Sequence, residues 1–181
     1  MKQVFFIIAV TLISACGRPW RCLPKYYKSL LFISFMNSLY YYLYKRNLLW
    51  VLNPTKGLHW KLLRALHIFY VTPTIALSFA SKIPKNNAAK ICYFMIWVIV
   101  STSVEQYVMK RGLISFKHGW NAYWSGFIYI NLYLFTYLFV KKPILTVILS
   151  VVSISYIIRE FPIKFESRFL KGPILALLVR K

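Results

Sequence analysis

Residues 120–158, WNAYWSGFIYINLYLFTYLFVKKPILTVILSVVSISYII, contain two long apolar runs that meet at a basic break. The first run, 120–140, ends at two lysines, and the second run, 143–158, begins at Pro143. A helix of about 20 mostly apolar residues can cross the hydrocarbon core of a bilayer. Proline is tolerated at the first position of a helix. The stretch therefore predicts a tight antiparallel pair of membrane helices.

The composition of the whole chain favours the same class of protein. Hydrophobic residues make up 59% of the 181 residues, aromatic residues make up 19%, and the mean hydropathy is +0.56. A soluble domain is usually about 45–50% apolar, and a chain of this length has too much surface to hide such an excess from water. We expect the excess to face lipid, in a single membrane domain over residues 1–181.

The chain is strongly basic, with 24 Lys and Arg against 3 Asp and Glu and a formal net charge of +21. The basic residues punctuate the apolar runs and do not cover one face, which argues against nucleic acid as a partner. A basic residue close to an anionic membrane surface gains about 1 kcal/mol. The charge pattern therefore predicts anionic lipid headgroups as partners.

Six apolar segments predict an all-α fold, an integral membrane bundle with five or six transmembrane helices. The segments are about 3–20, 28–44, 62–81, 91–110, 120–140 and 143–158. Pro73 predicts a kink in the third segment, because its ring removes a hydrogen bond within the helix. The stretch 48–54, LLWVLNP, is interpreted as an interfacial turn, and the tail 159–181 as a segment at the membrane surface.

The basic residues between the segments predict the orientation. With the N-terminus inside, the inner loops and both termini carry fifteen Lys and Arg, whereas the outer loops carry nine. Cytoplasmic loops of membrane proteins carry an excess of Lys and Arg. Both termini are therefore expected in the cytoplasm.

Cys16 lies in a context that allows two interpretations. The sequence Ile-Ser-Ala-Cys at 13–16 has the pattern of a bacterial lipoprotein cleavage box, with Lys2 as the charged region before it. Cleavage would leave a lipidated Cys16 at the new N-terminus. An uncleaved first helix is favoured, because the remaining helices anchor the chain without a lipid.

No motif of soluble-enzyme chemistry is present. The three cysteines and three histidines lack the spacing of a zinc site, and there is no phosphate-binding glycine loop, HExxH or GxSxG. We expect no metal and no cofactor.

Glu105 is the first acidic residue in the chain, and it lies near the end of an apolar segment. Ser101 and Thr102 precede it by one helical turn and predict a polar stripe on the fourth helix. Asn121 and Ser125 are four residues apart and predict a second stripe on the fifth helix. A loop of about ten residues joins the two helices, so the stripes are predicted to meet in a polar junction.

Two interpretations of this junction follow from its neighbours. In the first, Arg111 and His118 hold a lipid phosphate, Trp120 lies at headgroup depth, and Glu105 orients one of the cations. In the second, Glu105 is an ion-pair partner that pins the two helices. The polar residues of the fifth helix then contribute ordinary packing hydrogen bonds, worth about 0.6 kcal/mol each. Catalysis would need a base and a nucleophile in reach; Glu105, His118 and Ser125 supply the residue types.

Four stretches occur in an order that resembles a known family. They are LPKYYKSLLFISFMNSLYYYL (23–43), LLWVLNP (48–54), VEQYVMKRGLISFKHGWNAYWS (104–125) and KKPILTVILS (141–150). The family consists of small multi-pass membrane proteins of spore-forming Gram-positive bacteria, such as bacilli and clostridia. The residues that match its most specific pattern are Glu105, Gly112, Gly119, Trp120, Asn121 and Ser125. The resemblance implies a bacterial plasma membrane and a shared fold, and it leaves the activity open.

The sequence as a whole predicts a non-enzymatic membrane component that binds anionic lipid or a partner protein. A lipid-modifying membrane enzyme and a small transporter that acts as a homo-oligomer are the alternatives. An enzyme predicts that Glu105→Gln abolishes turnover without unfolding the protein. A transporter predicts an oligomer or a water-lined path.

Overall fold

The computed structural model describes residues 3, 7–12, 17–44, 47–53 and 59–162. These residues are predominantly helical, as an all-α fold requires. Beyond a helical stretch at 7–12, the helices are α1 (Leu23–Leu43), α2 (Trp60–Leu66), α3 (Thr72–Ser81), α4 (Asn87–Lys110), α5 (Ala122–Lys141) and α6 (Pro143–Glu160). A 3₁₀ turn, Pro19–Cys22, leads into α1. The tail beyond 162 and Cys16 lie outside the described residues.

Three described helical stretches are long and apolar enough to cross a membrane: Trp60–Ser81, α4 and α6. This number is smaller than the five or six that the sequence predicts. Helices α1 and α5 have 21 and 20 residues, but their many tyrosines and scattered polar residues lower their hydropathy. Length alone would allow both of them to span.

Local sequence sets where the helices begin. Asn86 caps α4, since its side-chain oxygen accepts a hydrogen bond of 2.9 Å from the backbone N–H of Ala88. Asn121 caps α5 in the same way. Pro143 occupies the first turn of α6, where its missing N–H leaves no hydrogen bond unmade.

The kink predicted at Pro73 takes the form of a π-helical turn. Residues His67–Val71 connect α2 to α3 in π geometry, directly before the Thr72–Pro73 pair. The backbone N–H of Thr72 bonds to the carbonyl of His67, five residues back. Because proline cannot donate to the preceding turn, a local change in helical winding at this place has a clear cause.

A short two-stranded ribbon was not predicted from the sequence. Strand β1 (Trp50–Leu52) pairs antiparallel with β2 (Ile114–Phe116), with Val51 opposite Ser115. The stretch 48–54, interpreted as an interfacial turn, thus contains a strand. The side-chain amide of Gln3 donates to the carbonyls of Leu113 and Asn53, at 2.6 and 3.0 Å, and joins the start of the chain to this ribbon.

Helix α5 is the centre of the bundle and packs against α1, α3, α4 and α6. The C-terminal ends of α1, α4 and α6 meet the start of α5 and the ribbon at one end of the molecule, which we call the ribbon end. Helices α4 and α6 bury few of their side chains and present apolar ones outward, among them Ile99 and Ile148. Outward-facing apolar helices are what a lipid environment selects.

Candidate functional site

Glu105 lies on α4 against the central helix and is buried, with 9% of its surface exposed. The hydroxyl of Ser125 donates to its Oε1 at 2.6 Å, and the hydroxyl of Tyr129 donates to its Oε2 at 2.8 Å. The indole N–H of Trp120 in turn donates to Ser125 Oγ at 3.1 Å. We call Glu105, Trp120, Ser125 and Tyr129 the carboxylate network.

The spacing of the α5 residues explains this arrangement. Ser125 and Tyr129 are four residues apart, so both project from the face of α5 that meets α4. One turn further, Tyr133 forms a hydrogen bond with Ser101 of α4. The polar stripes predicted on the two helices are thus in contact, although Thr102 Oγ1 is buried without a hydrogen-bond partner.

The cations predicted beside Glu105 lie elsewhere. Arg111 is exposed, and its guanidinium lies 5.0 Å from the centre of the Tyr107 ring. His118 is exposed in the turn before α5, with a left-handed backbone at φ 53°. No described Lys, Arg or His forms an ion pair with Glu105. The carboxylate takes hydroxyl partners where the sequence suggested a cation.

Of the two remaining predicted residues, Asn121 lies on the surface and Trp120 lies in the interior. Asn121 is exposed and caps α5, where its Oδ1 accepts from the backbone N–H groups of Tyr123 and Trp124 at 3.0 and 3.3 Å. Trp120 is buried, with its ring 5.7 Å from that of Phe161. Trp120 therefore belongs to the packed interior of the ribbon end.

A cavity of about 210 Å³, which was not predicted from the sequence, lies beside the carboxylate network. Side chains from α1, β1, the π turn and helices α3 to α6 form its walls, which are mostly aliphatic and aromatic. Apart from the tyrosines and tryptophans, the polar side chains among them are Asn37, His67, Thr72, Glu105, Ser125, Asn131, Ser150 and Ser153. Mostly apolar walls with a few placed polar groups are typical of small-molecule sites.

Trp50 of the ribbon connects the carboxylate network to a second polar group. Its indole nitrogen is buried without a hydrogen-bond partner and lies close to Glu105. Its ring centre lies 4.8 Å from that of His67. His67 Nε2 lies 3.4 Å from Thr72 Oγ1, which accepts a hydrogen bond from Asn37 at 3.1 Å. All of these residues line the cavity, and within the described residues no cluster of His, Cys, Asp or Glu could hold a metal.

Tyr44 joins α1 to α6 at the ribbon end of the cavity. Its hydroxyl donates to the carbonyl of Phe161 at 3.0 Å and approaches that of Ile157 at 3.4 Å. Apart from this junction, α6 packs mainly on α5, whereas α1 packs on both α5 and α3.

No protein-family model, curated protein or solved structure matches this chain. The resemblance to the family of spore-forming bacteria therefore stays a prediction.

Proposed function

We propose that this protein is a non-enzymatic, multi-pass membrane protein that binds one lipid-like amphiphile in the cavity beside Glu105. The cavity itself carries the proposal, because aliphatic and aromatic walls surround a small set of polar groups. An amphiphile has the matching two parts, an apolar chain and a polar head. A volume of about 210 Å³ exceeds the roughly 150 Å³ of an engineered protein cavity that admits benzene.

The proposal includes a placement in the membrane. Trp60–Ser81, α4 and α6 span the bilayer, α1 and α5 span beside them, and the N-terminal helical segment supplies a sixth helix. The excess of basic residues at the ribbon end and the termini favours the cytoplasmic side for both. A bacterial plasma membrane follows from the family resemblance alone.

The route into the cavity is proposed to pass between α1 and α6. Both helices pack on α5, and Tyr44 at the end of α1 donates hydrogen bonds to backbone carbonyls at the end of α6. The cavity lies between these helices, on the side of Tyr44 away from the ribbon end. A ligand dissolved in the bilayer would then reach the cavity sideways, without crossing water.

Anionic lipids are proposed to bind at a different place, the exposed basic rim of the ribbon end. Arg111, Lys117 and His118 are exposed there. A phosphate at this rim would gain about 1 kcal/mol for each nearby cation. Binding of a partner protein or a second copy of the chain stays a prediction.

The distance between Ser125 and Glu105 favours the alternative of an enzyme, whereas the burial of Ser125 and its hydrogen bond from Trp120 weigh against it. Ser125 Oγ lies 2.6 Å from the Glu105 carboxylate, as a nucleophile would from its base. However, Ser125 is 1% exposed, and its oxygen accepts the indole N–H of Trp120. An acceptor bond draws electron density from the hydroxyl oxygen and so lowers its nucleophilicity. We therefore propose binding rather than catalysis.

The test is native mass spectrometry of the protein purified in mild detergent. Ile154 lines the cavity from α6, whereas Ile148 of the same helix is 55% exposed on the outer face. Ile154→Trp should fill the cavity and remove a co-purified adduct, and Ile148→Trp should leave the adduct in place. An adduct retained equally by both variants, or absent from the wild type after incubation with lipid extract, would contradict the proposal.

A further inference from the structure

We infer that the head of the bound amphiphile is a cationic ammonium group, held by Glu105 and by the aromatic rings around it. This inference rests on the proposed function and adds the chemical class of the ligand. It differs from the anionic lipid that the composition of the chain suggests.

The first support is the charge of the cavity wall. Among the described residues that line the cavity, Glu105 is the only Asp, Glu, Lys or Arg. His67 also lines it, but His67 lies against Trp50 and beside Thr72, and it forms no ion pair with Glu105. An ionised carboxylate without a countercharge is costly in a low-dielectric interior, so Glu105 either holds a proton or binds a cation. A ligand cation would supply the missing countercharge.

The second support is the acceptor capacity that Glu105 retains. An ionised carboxylate has about four lone-pair sites. Ser125 and Tyr129 each occupy one, on different oxygens, and the nearby indole N–H of Trp50 can take a third. An ammonium group can therefore approach without displacing either hydroxyl. The two hydroxyl bonds also hold the carboxylate in one orientation, which reduces the entropy lost on binding.

The third support is the aromatic character of the wall near Glu105. Tyr40, Tyr44, Trp50, Trp120 and Tyr129 all line the cavity. Aromatic rings attract cations through their negative faces, and clusters of such rings recognise quaternary ammonium groups in other proteins. Aromatic side chains and one carboxylate together suit an alkylammonium head better than a phosphate.

The same wall disfavours a zwitterionic headgroup. A phosphate beside the ammonium would bring a negative charge close to Glu105. No described Lys or Arg lines the cavity to balance that charge. The aliphatic side chains further from Glu105, such as Ile33, Leu132 and Ile154, suit a single hydrocarbon chain. The fitting ligand is thus a single-chain amphiphile with a net positive charge.

The experiment compares four single-chain compounds on the wild-type protein in phosphatidylcholine nanodiscs, with empty nanodiscs as background. The compounds are radiolabelled dodecyltrimethylammonium, dodecanol, dodecyl sulfate and lysophosphatidylethanolamine. We expect dodecyltrimethylammonium to bind about tenfold more tightly than dodecanol and the other two to bind no better than dodecanol. Equal affinity for all four, or tighter binding of dodecyl sulfate or lysophosphatidylethanolamine, would overturn the ammonium inference and leave the cavity proposal standing. No binding of any compound above background would overturn the proposed function itself.

Two matched variants assign the effect to Glu105. Glu105→Gln should lower the affinity for the ammonium compound to that for dodecanol, and an unchanged circular dichroism spectrum should show that the variant keeps its fold. Glu160→Gln removes the same charge from an exposed site at the end of α6 and should keep the preference. An equal loss of the ammonium preference in both variants would show a general effect of net charge and would contradict the inference. Should Glu105→Gln fail to fold, the wild-type series still decides the outcome.

Discussion

At the scale of single residues, Glu105 is a buried acid whose hydrogen-bond donors are hydroxyl groups and whose described neighbours include no ion-pair partner. Two hydroxyl donors from one face of α5 satisfy its oxygens. Hydrogen bonds to a charged group are stronger than neutral ones, at about 1.5–3 kcal/mol each in soluble proteins. Measured values in membranes are smaller, about 0.6 kcal/mol on average. The carboxylate network therefore stabilises the contact between α4 and α5 as well as shaping the cavity.

Removal of one donor should measure that contribution. Tyr129→Phe deletes the hydroxyl that donates to Oε2 of Glu105, and we expect a loss of about 1 kcal/mol in the free energy of unfolding. The measurement is unfolding by sodium dodecyl sulfate, followed by circular dichroism. Tyr107→Phe is the control, because Tyr107 is 58% exposed on α4 and should change stability little. Equal effects of the two substitutions would show that the Tyr129 hydroxyl contributes nothing specific.

At the scale of elements, the loop between α4 and α5 is a structured ribbon whose turns depend on glycine. Gly112 and Gly119 have φ angles of +75° and +83°, a region that side chains with a Cβ atom rarely adopt. Gly112 ends α4 and directs the chain into β2, which pairs with β1. The ribbon thereby places Trp50 against Glu105 and His67.

Two glycine substitutions should change the stability of the protein in opposite directions. Gly112→Ala meets no atom within 4 Å but forces alanine into a left-handed conformation, so we expect a loss of about 1 kcal/mol. Gly126→Ala lies inside α5, and its new Cβ would be 3.7 Å from Thr102 Oγ1, an ordinary contact. That substitution should stabilise the protein by about 0.5–1 kcal/mol, because glycine is a poor helix former. Thermal unfolding of both variants tests the pair, and a stabilised Gly112→Ala protein would contradict the assigned backbone strain.

At the scale of the whole molecule, α5 organises the bundle, while α4 and α6 face outward. The part of the bundle core around Phe79 and Tyr133 is closely packed with aromatic rings. The cavity lies further toward the ribbon end, where α1 and α6 lean on α5 and are joined at Tyr44. Basic residues occur at both ends, so the orientation in the membrane depends on their numbers.

Cysteine labelling tests that orientation. In a variant whose three native cysteines are replaced by serine, Lys85→Cys lies in the loop before α4, and Lys117→Cys lies at the ribbon end. An impermeant maleimide should label position 85 in intact cells and position 117 only after permeabilisation. The reverse pattern would place the ribbon end outside and overturn the proposed topology.

Much of the fold could be predicted because apolar runs, caps and prolines act locally. The break at Pro143 and the change in winding before Pro73 follow from residues in the immediate sequence. The ribbon could not be predicted, because β1 and β2 are far apart in the chain and each is only three residues long. In the candidate site, the spacing of Ser125 from Asn121 indicates its role. Tyr129 has no such signal, because tyrosines are numerous in this chain and are also common at membrane interfaces.

The amino-acid sequence is enough to predict the helical class, the excess of apolar surface and the polar stripes that bring α4 against α5. These properties depend on composition and on the 3.6-residue period of a helix, both of which are visible in the sequence. The packing of the helices, in contrast, sets the pairing of Glu105 with Ser125 and Tyr129 and places Trp50 and His67 at the same cavity. A cavity exists where side chains from separate helices fail to meet. That outcome depends on how those helices are arranged in space, and no local pattern of residues encodes it.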